Sequence, residues 1–257
     1  MSPKPARTFH YHACAHAFSA QFTRPFHHQI DIQAQSALPV VGGHGHSRVE
    51  CFEFRDFISF KKGYSHVSGG HQADDDSNNT LATAVLEGLN MFDVLTADRV
   101  VSRLYSKHPA NAKEGNITWM GSKFENLRIG CCPVQLVLNY DVLDNLLTFE
   151  AAEKAFKEGG AFTKIAQDPF FTGQLLKPSD FNGVFLCSIV KEIKTDCPGV
   201  KVKGHSMHVP GFGTVYLGEL LIKPGEKTLT MLRFELGSTT SGDGSGGGTK
   251  TNGRPYP

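Results

Sequence analysis

The sequence lacks any run of about 18 consecutive apolar residues, the length that a membrane-spanning helix needs, so we expect no such helix. Its first residues, MSPKPARTFHYHACAHAF, also lack the apolar core and the cleavage signal of a secretory peptide. A cytoplasmic location is therefore the default expectation. The net charge is only +1 and no compact Lys/Arg cluster occurs, so we expect no nucleic-acid partner.

The cysteines form no C-x-x-C pair that would indicate a zinc or redox motif. The six are Cys14, Cys51, Cys131, Cys132, Cys187 and Cys197. An even count is compatible with disulfides, but in a chain of this size it favours free thiols and a reducing compartment.

Common catalytic signatures are missing as well. No G-x-S-x-G elbow, Walker loop or strand-to-helix G-x-G-x-x-G occurs. The sequence therefore names no reaction and leaves open whether the chain is an enzyme.

Short alternating apolar stretches dominate what is present. In RVECFEFRDFISF, for example, Phe52, Phe54, Ile58 and Phe60 share one parity, which is the pattern of a half-buried strand. Residues 223–227, KPGEK, join two such stretches as a hairpin loop, and the polar residues 68–80 predict an exposed loop. These features predict a mainly β fold, an antiparallel β-sandwich; a jelly-roll arrangement would satisfy the same pattern.

Two segments depart from this pattern. Residues 81–108 fit one helix about as well as two strands broken near Gly88, and both interpretations stay open. Residues 148–160, TFEAAEKAFKEGG, predict a helix that Thr148 caps, and further helical turns are expected before Pro169. We therefore expect one β-rich domain over residues 1–237 with a helical insertion at 148–168. Residues 238–257, rich in Gly and Ser, predict a flexible tail.

Histidines are concentrated near the N-terminus, and His10, His12, Cys14 and His16 alternate along one stretch. Residues on one face of a strand lie about 6.6 Å apart, so His10 and His16 would be about 20 Å apart. One ion cannot collect the whole row, because each ligand nitrogen must approach zinc to about 2.0–2.1 Å. A pair such as His10 with His12 is compatible with metal binding if further ligands come from elsewhere.

Residues 42–50, GGHGHSRVE, contain an H-x-H-x3-E spacing through His44, His46 and Glu50, which resembles part of the first metal motif of cupins. The resemblance covers fewer than ten residues, and the flanking glycines and second motif of that family are missing. It implies a metal site of His44, His46 and Glu50, completed by His10 or His12. The cofactor would be a divalent metal, Zn, Fe or Cu, in a hydrolase or oxygenase.

Three longer stretches are VLEGLNMFDVLTADRVVSRL, SKFENLRIGCCPVQL and PGFGTVYLGELLIKPGEKTLTMLRFELG. In order and composition they resemble uncharacterised bacterial β-rich proteins of the choice-of-anchor type. The resemblance implies a secreted or surface-displayed β domain and carries over no catalytic residue. The chain departs from it in lacking a signal peptide and a recognisable anchor segment.

The expected function is accordingly non-enzymatic, in binding, assembly or surface display, with a protein or a second copy of the chain as partner. The alternative is the histidine-coordinated metalloprotein. The alternative requires histidines from residues 10–46 to converge on one point, whereas the first expectation does not.

Overall fold

The structure, a computed structural model, describes residues 8–169, 173–237 and 239–256, and strands account for most of them. The strands are β1 Thr8–Arg24, β2 His28–Gln33, β3 Ser36–Ala37, β4 Gly43–Phe54, β5 Ile58–Gln72, β6 Ser77–Met91, β7 Leu95–Pro109, β8 Asn116–Thr118, β9 Lys123–Glu125, β10 Arg128–Ile129, β11 Cys132–Pro133, β12 Gln135–Leu138, β13 Phe185–Ser188, β14 Val190–Lys194, β15 Lys201–Lys203, β16 Ser206–Val209, β17 Gly213–Lys223, β18 Glu226–Leu236 and β19 Ser241–Tyr256. The helices are α1 Tyr140–Leu143 and α2 Phe149–Lys157, with 3-10 helices at Ala161–Lys164 and Pro178–Asp180.

Two large antiparallel sheets contain nearly all of the strands. The first sheet has the order β15-β16-β17-β18-β19-β1-β2, with β13 beside β17 and β3 beside β1. The second sheet has the order β11-β10-β7-β6-β5-β4, with β8 and β9 beside β7. Strands β12 and β14 form a separate pair. The predicted fold class, a mainly β antiparallel sandwich with a small helical insertion, is confirmed.

The two sheets pack face to face where β1 crosses β5 and β6. Small side chains meet there: Ala13 and Ala15 of β1 contact Val67, Ala82 and Ala84 of the second sheet. Because alanines occupy little volume, the sheets approach closely at this end. The larger core cluster contains most of the buried phenylalanines and continues from the sandwich to the helical insertion.

A change of phase interrupts the in–out alternation of several strands. In β1 the buried positions are odd-numbered up to Ala17 and even-numbered from Phe18 onward. In β17 the change falls at Gly218, which has φ +62 and lies so close to Ile189 that an added Cβ would be 2.6 Å from its Cγ1. A side chain is disfavoured at such a left-handed position, so glycine makes the phase change feasible.

The same effect explains the ambiguity of residues 81–108. They form parts of β6 and β7, so the strand interpretation is correct. Buried positions of β6 change phase at Gly88, which has φ +65, and this break produced a pattern that also fitted a helix. The loop predicted over residues 68–80 is wrong for most of its length, because β5 continues to Gln72 and β6 starts at Ser77.

The prediction of a flexible tail is wrong for residues 241–256. They form β19, which pairs with β1 from Ser241 to Tyr256 on one side and with β18 from Gly242 to Asn252 on the other. Its glycines have a packing role: a Cβ on Gly244 would lie 2.4 Å from Phe234 Cζ, and one on Gly248 would lie 2.1 Å from His16 Cε1. Although the composition of residues 241–256 resembles that of a linker, their glycines make room for side chains of the two neighbouring strands.

The helical insertion matches its prediction. Helix α2 begins after Thr148, whose side chain accepts a hydrogen bond from Ala151 N at 3.2 Å, and its buried face carries Phe149, Ala152 and Phe156. The further turn predicted before Pro169 is the 3-10 helix at Ala161–Lys164. Within the described ranges, no helix is both long and apolar enough to cross a membrane.

Candidate binding cleft

The first pair of predicted metal ligands lies on the outer face of the first sheet. In β1, Tyr11 and Ala13 point into the sandwich, and His10 and His12 alternate with them on the outside. His12 is exposed and His10 is half-buried. Farther along the same face His16 is also half-buried, and burial lowers the pKa of its ring.

The H-x-H-x3-E residues lie on the outer face of β4, the edge strand of the second sheet. His44, His46 and Glu50 are all exposed there, and Glu50 forms an ion pair with Arg48 on the same face. Six residues along a strand span about 20 Å, so His44 and Glu50 cannot bind the same ion.

The five predicted ligands consequently do not converge. The β1 pair and the β4 set lie on opposite outer faces of the sandwich, with the apolar layer between them. Within the described part of the chain, no three His, Cys, Asp or Glu side chains are grouped so that they could hold one metal ion.

A cleft of about 270 Å³ lies between β13, β14, the β15–β16 turn and the 3-10 helix at Ala161–Lys164. Its principal polar lining consists of Asn139, Lys164, Gln167, Lys191, Lys203 and His205. Cationic side chains thus surround it, and two of the lining residues, Asn139 and His205, are each 4% exposed.

Asn139 supplies an unsatisfied acceptor. It precedes helix α1 at the N-cap position, where an asparagine usually accepts a backbone N–H, yet its side chain makes no capping hydrogen bond. Its Oδ1 is buried and has no hydrogen-bond partner within the described ranges. A buried acceptor without a partner costs about 1–3 kcal/mol, so this oxygen favours a ligand that brings a donor.

His205 is held in a hydrogen-bonded network behind the cleft. Gln167 Nε2 lies 3.2 Å from His205 Nδ1, and His205 Nε2 lies 3.2 Å from Glu219 Oε1. A neutral ring fits both contacts when Nδ1 accepts from the amide and Nε2 donates to the carboxylate. Arg233 donates to Glu219 at 2.6 and 2.8 Å, which fixes the carboxylate from its other side.

The charge state of Glu219 follows from these contacts. Burial by itself raises the pKa of Glu219, but the hydrogen bonds from Arg233 and His205 and the charge of Arg233 outweigh it, and the net pKa lies below the ordinary value. Glu219 is thus a carboxylate that holds the imidazole, and the network forms a rigid wall of the cleft.

The lysines give the cleft its positive charge. Lys191 is partly neutralised by Asp141, with 3.3 Å between Nζ and Oδ2. Among the residues that the structure describes, Lys164 and Lys203 form no ion pair with a carboxylate, and all three lysines are exposed at the rim. An anion entering the cleft would therefore meet two ammonium groups without a carboxylate partner.

Sequence reasoning did not select Asn139, His205 or Glu219 as site residues. One signal was available for Glu219: it stands inside the apolar strand GTVYLGELLIK, and a carboxylate in such a stretch needs a buried partner. For Asn139 there was no such signal, since asparagine before a helix is ordinary.

The fold and the cleft together define an antiparallel β-sandwich protein with a small basic cleft. A family model described as a domain of unknown function (DUF8256) matches residues 9–175 and 171–223, which is most of the chain. The chain therefore belongs to this family. The searches of curated proteins and of solved structures gave no match.

Proposed function

We propose that the protein is a non-enzymatic binding protein and that the basic cleft takes a small anion carrying a hydroxyl or amino group. The observation that carries the proposal is Asn139 Oδ1, a buried acceptor without a partner in the described chain, in a cleft surrounded by lysines. The lysines favour the ligand's negative charge, and its hydroxyl or amino group would donate to Asn139.

The hydrogen bonding of the cleft favours binding over catalysis. Both ring nitrogens of His205 are engaged, so neither is available as a general base without breaking the network. Ser188, the hydroxyl that lines the cleft, donates to Leu217 O at 2.8 Å and accepts from Val190 N at 2.9 Å. It therefore lacks the adjacent base that a serine nucleophile requires.

Isothermal titration with two matched anions tests the proposal. Glycerol 3-phosphate carries hydroxyl donors, whereas propyl phosphate has a similar length and lacks them. We expect the first to bind about tenfold more tightly or better, because only it satisfies Asn139 Oδ1. Nuclear magnetic resonance spectra should show that glycerol 3-phosphate is chemically unchanged after incubation with the protein.

Variants locate the effect in the cleft. Asn139→Leu should abolish the difference between the two anions, and Lys203→Met should weaken both. Lys201→Met is the matched control, because Lys201 lies on the same strand, is exposed and does not line the cleft. Equal affinity of the two anions for the wild-type protein, or an equal loss in the Lys201 and Lys203 variants, would reject the proposal.

A further inference from the structure

A second hollow lies where the start of β1 and the end of β19 meet the β5–β6 turn and the end of β7. It has a volume of about 320 Å³. Its principal lining consists of Phe9, Tyr11, His71, Asp76, Asn78 and His108. None of these residues belongs to the basic cleft.

His108 is the most informative residue of the hollow. Its side chain is 2% exposed, and its Nδ1 lies 3.1 Å from Pro109 O. A carbonyl oxygen can only accept, so Nδ1 donates to it, and in the neutral ring Nε2 then carries a lone pair. That buried Nε2 has no hydrogen-bond partner in the described ranges.

The neighbouring polar atoms are also acceptors. Tyr11 donates its hydroxyl hydrogen to Asn78 Oδ1 at 2.7 Å, which leaves lone pairs on both oxygens. Asp76 adds a carboxylate from the turn, with His71 Nε2 3.8 Å from its Oδ1. The hollow therefore offers lone pairs from several directions to a group that brings hydrogen-bond donors.

Aromatic rings form the remaining wall. The ring of Phe9 lies edge-on to Tyr11, with centroids 4.8 Å apart, and to His108, with centroids 5.1 Å apart. Aromatic faces attract cations and bury alkyl groups, so this wall suits a cationic head with an apolar stem.

The local charge has the matching sign. Asp74, Asp75 and Asp76 occur in succession at the turn, and Asp75 forms an ion pair with Lys107. A cation approaching the hollow would therefore meet a net negative field.

From these contacts we propose that the hollow binds a primary ammonium group on an alkyl chain. Its N–H donors meet Nε2 of His108, the Asp76 carboxylate and the free lone pairs of Asn78 or Tyr11, while the alkyl part packs on Phe9. The described residues contain no group of three ligands suited to a metal ion, which favours an organic cation at this position.

Titration with n-butylammonium, followed by nuclear magnetic resonance of the whole chain, tests the proposal. We expect saturable shifts at residues of the hollow, and binding at least about tenfold weaker for the uncharged analogue 1-butanol. Asp76→Asn should weaken n-butylammonium binding about tenfold. This variant should fold, because Asp76 is exposed and has φ +46, a conformation that asparagine tolerates.

Two further variants complete the test. His108→Phe retains an aromatic ring and removes the acceptor, so it should also weaken binding about tenfold. Asp74→Asn is the control, because Asp74 has the same charge and does not line the hollow. The proposal is overturned if n-butylammonium does not bind, if 1-butanol binds equally well, or if Asp74→Asn and Asp76→Asn weaken binding equally.

Discussion

At the scale of single residues, Glu219 stands out because a buried carboxylate normally destabilises a fold unless it is paired. Arg233 and His205 provide that pairing, and the ring of Tyr216 lies under the guanidinium, 3.7 Å from ring centroid to Arg233 Cζ. The network connects β17, β18 and the β15–β16 turn, and it positions His205 beside the cleft.

This network predicts a specific loss of stability in acid. The folded-state pKa of Glu219 lies below the ordinary value of 4.5, so its contribution is complete above pH 4.5 and is lost as the pH falls through the folded-state pKa. Chemical unfolding measured from pH 6 down to pH 3 should show a steeper decline for the wild type than for Glu219→Gln.

Glu53→Gln serves as the control for that series, because Glu53 is exposed on β4 and has no ion-pair partner in the described chain. It should follow the wild-type curve. If Glu219→Gln declines as steeply as the wild type, the acid sensitivity arises elsewhere.

At the scale of elements, β19 is a strand that glycine makes possible. It lies between β1 and β18, and side chains from both neighbours cross over its glycines, as His16 does at Gly248. A glycine in a strand weakens it intrinsically, so pairing on both sides and the packing of these side chains must offset that cost.

Substitution of one glycine tests this account. Gly248→Ala places a methyl group 2.1 Å from His16 Cε1, and overpacking of this kind costs about 1–3 kcal/mol in the free energy of unfolding. When His16→Ala has already removed the ring, adding Gly248→Ala should lower the free energy of unfolding by much less than it does in the wild-type protein. Urea unfolding of the wild type, the two single variants and the double variant measures this difference.

Gly70→Ala is the matched control, since an added Cβ there has no neighbour within 4 Å. It should change the free energy of unfolding by less than about 0.5 kcal/mol. A loss for Gly248→Ala that persists unchanged without the His16 ring would contradict the packing explanation.

At the scale of the whole molecule, polar contacts connect the two sheets through the core. Thr80 and Ser102 of the second sheet meet Thr251 and Thr249 of β19, with oxygen–oxygen distances of 2.6 and 2.7 Å. Lys227, only 2% exposed, points inward from β18 and forms an ion pair with Glu114.

Glu114 joins this lysine to the helical insertion. Its second oxygen accepts a hydrogen bond from Phe149 N at 2.9 Å, so the carboxylate also serves the N-terminus of α2. A negative charge is favourable there, because the first N–H groups of a helix have no intrahelical partner. The first sheet and the insertion are therefore coupled through one side chain.

The buried pair predicts non-additive effects. Lys227→Met leaves the Glu114 carboxylate without its partner and should cost about 3–5 kcal/mol of unfolding free energy. Lys227→Met/Glu114→Gln should be more stable than that single variant, because the amide is neutral and still accepts from Phe149 N. Denaturant unfolding of the two single variants and the double variant measures the coupling.

An exposed pair provides the comparison. Lys154 Nζ lies 3.8 Å from Oε1 of Glu158, the residue that follows α2, and Lys154→Met should change stability by less than about 1 kcal/mol. Additive losses in the Lys227/Glu114 cycle would show that the buried contact does not couple the sheet to the insertion.

Local patterns were sufficient for much of the fold. Alternation over Phe52–Phe60 predicted strands, and Thr148 together with Phe149, Ala152 and Phe156 predicted helix α2. These predictions succeeded because capping and periodicity act within a few residues. The β-sandwich followed from many such strands with one helical insertion.

The errors have a common cause in packing between distant segments. Composition indicated a flexible tail at residues 238–257, but in β19 Gly244 makes room for Phe234 of the neighbouring strand and Gly248 makes room for His16, which is far away in sequence. Likewise, the spacing of His44, His46 and Glu50 resembled a metal motif. These three residues lie in a row along the outer face of β4, an edge strand, and therefore do not converge on one point.

The sequence by itself thus determined the β class, the capped helix and the presence of a histidine-rich strand, since each depends on neighbouring residues. The tertiary structure alone decided the phase changes, the place of β19 and the gathering of Asn139, His205 and the lysines around one cleft. Which side chains meet across a sandwich depends on strand order and register, and these are set by contacts between residues far apart in the chain.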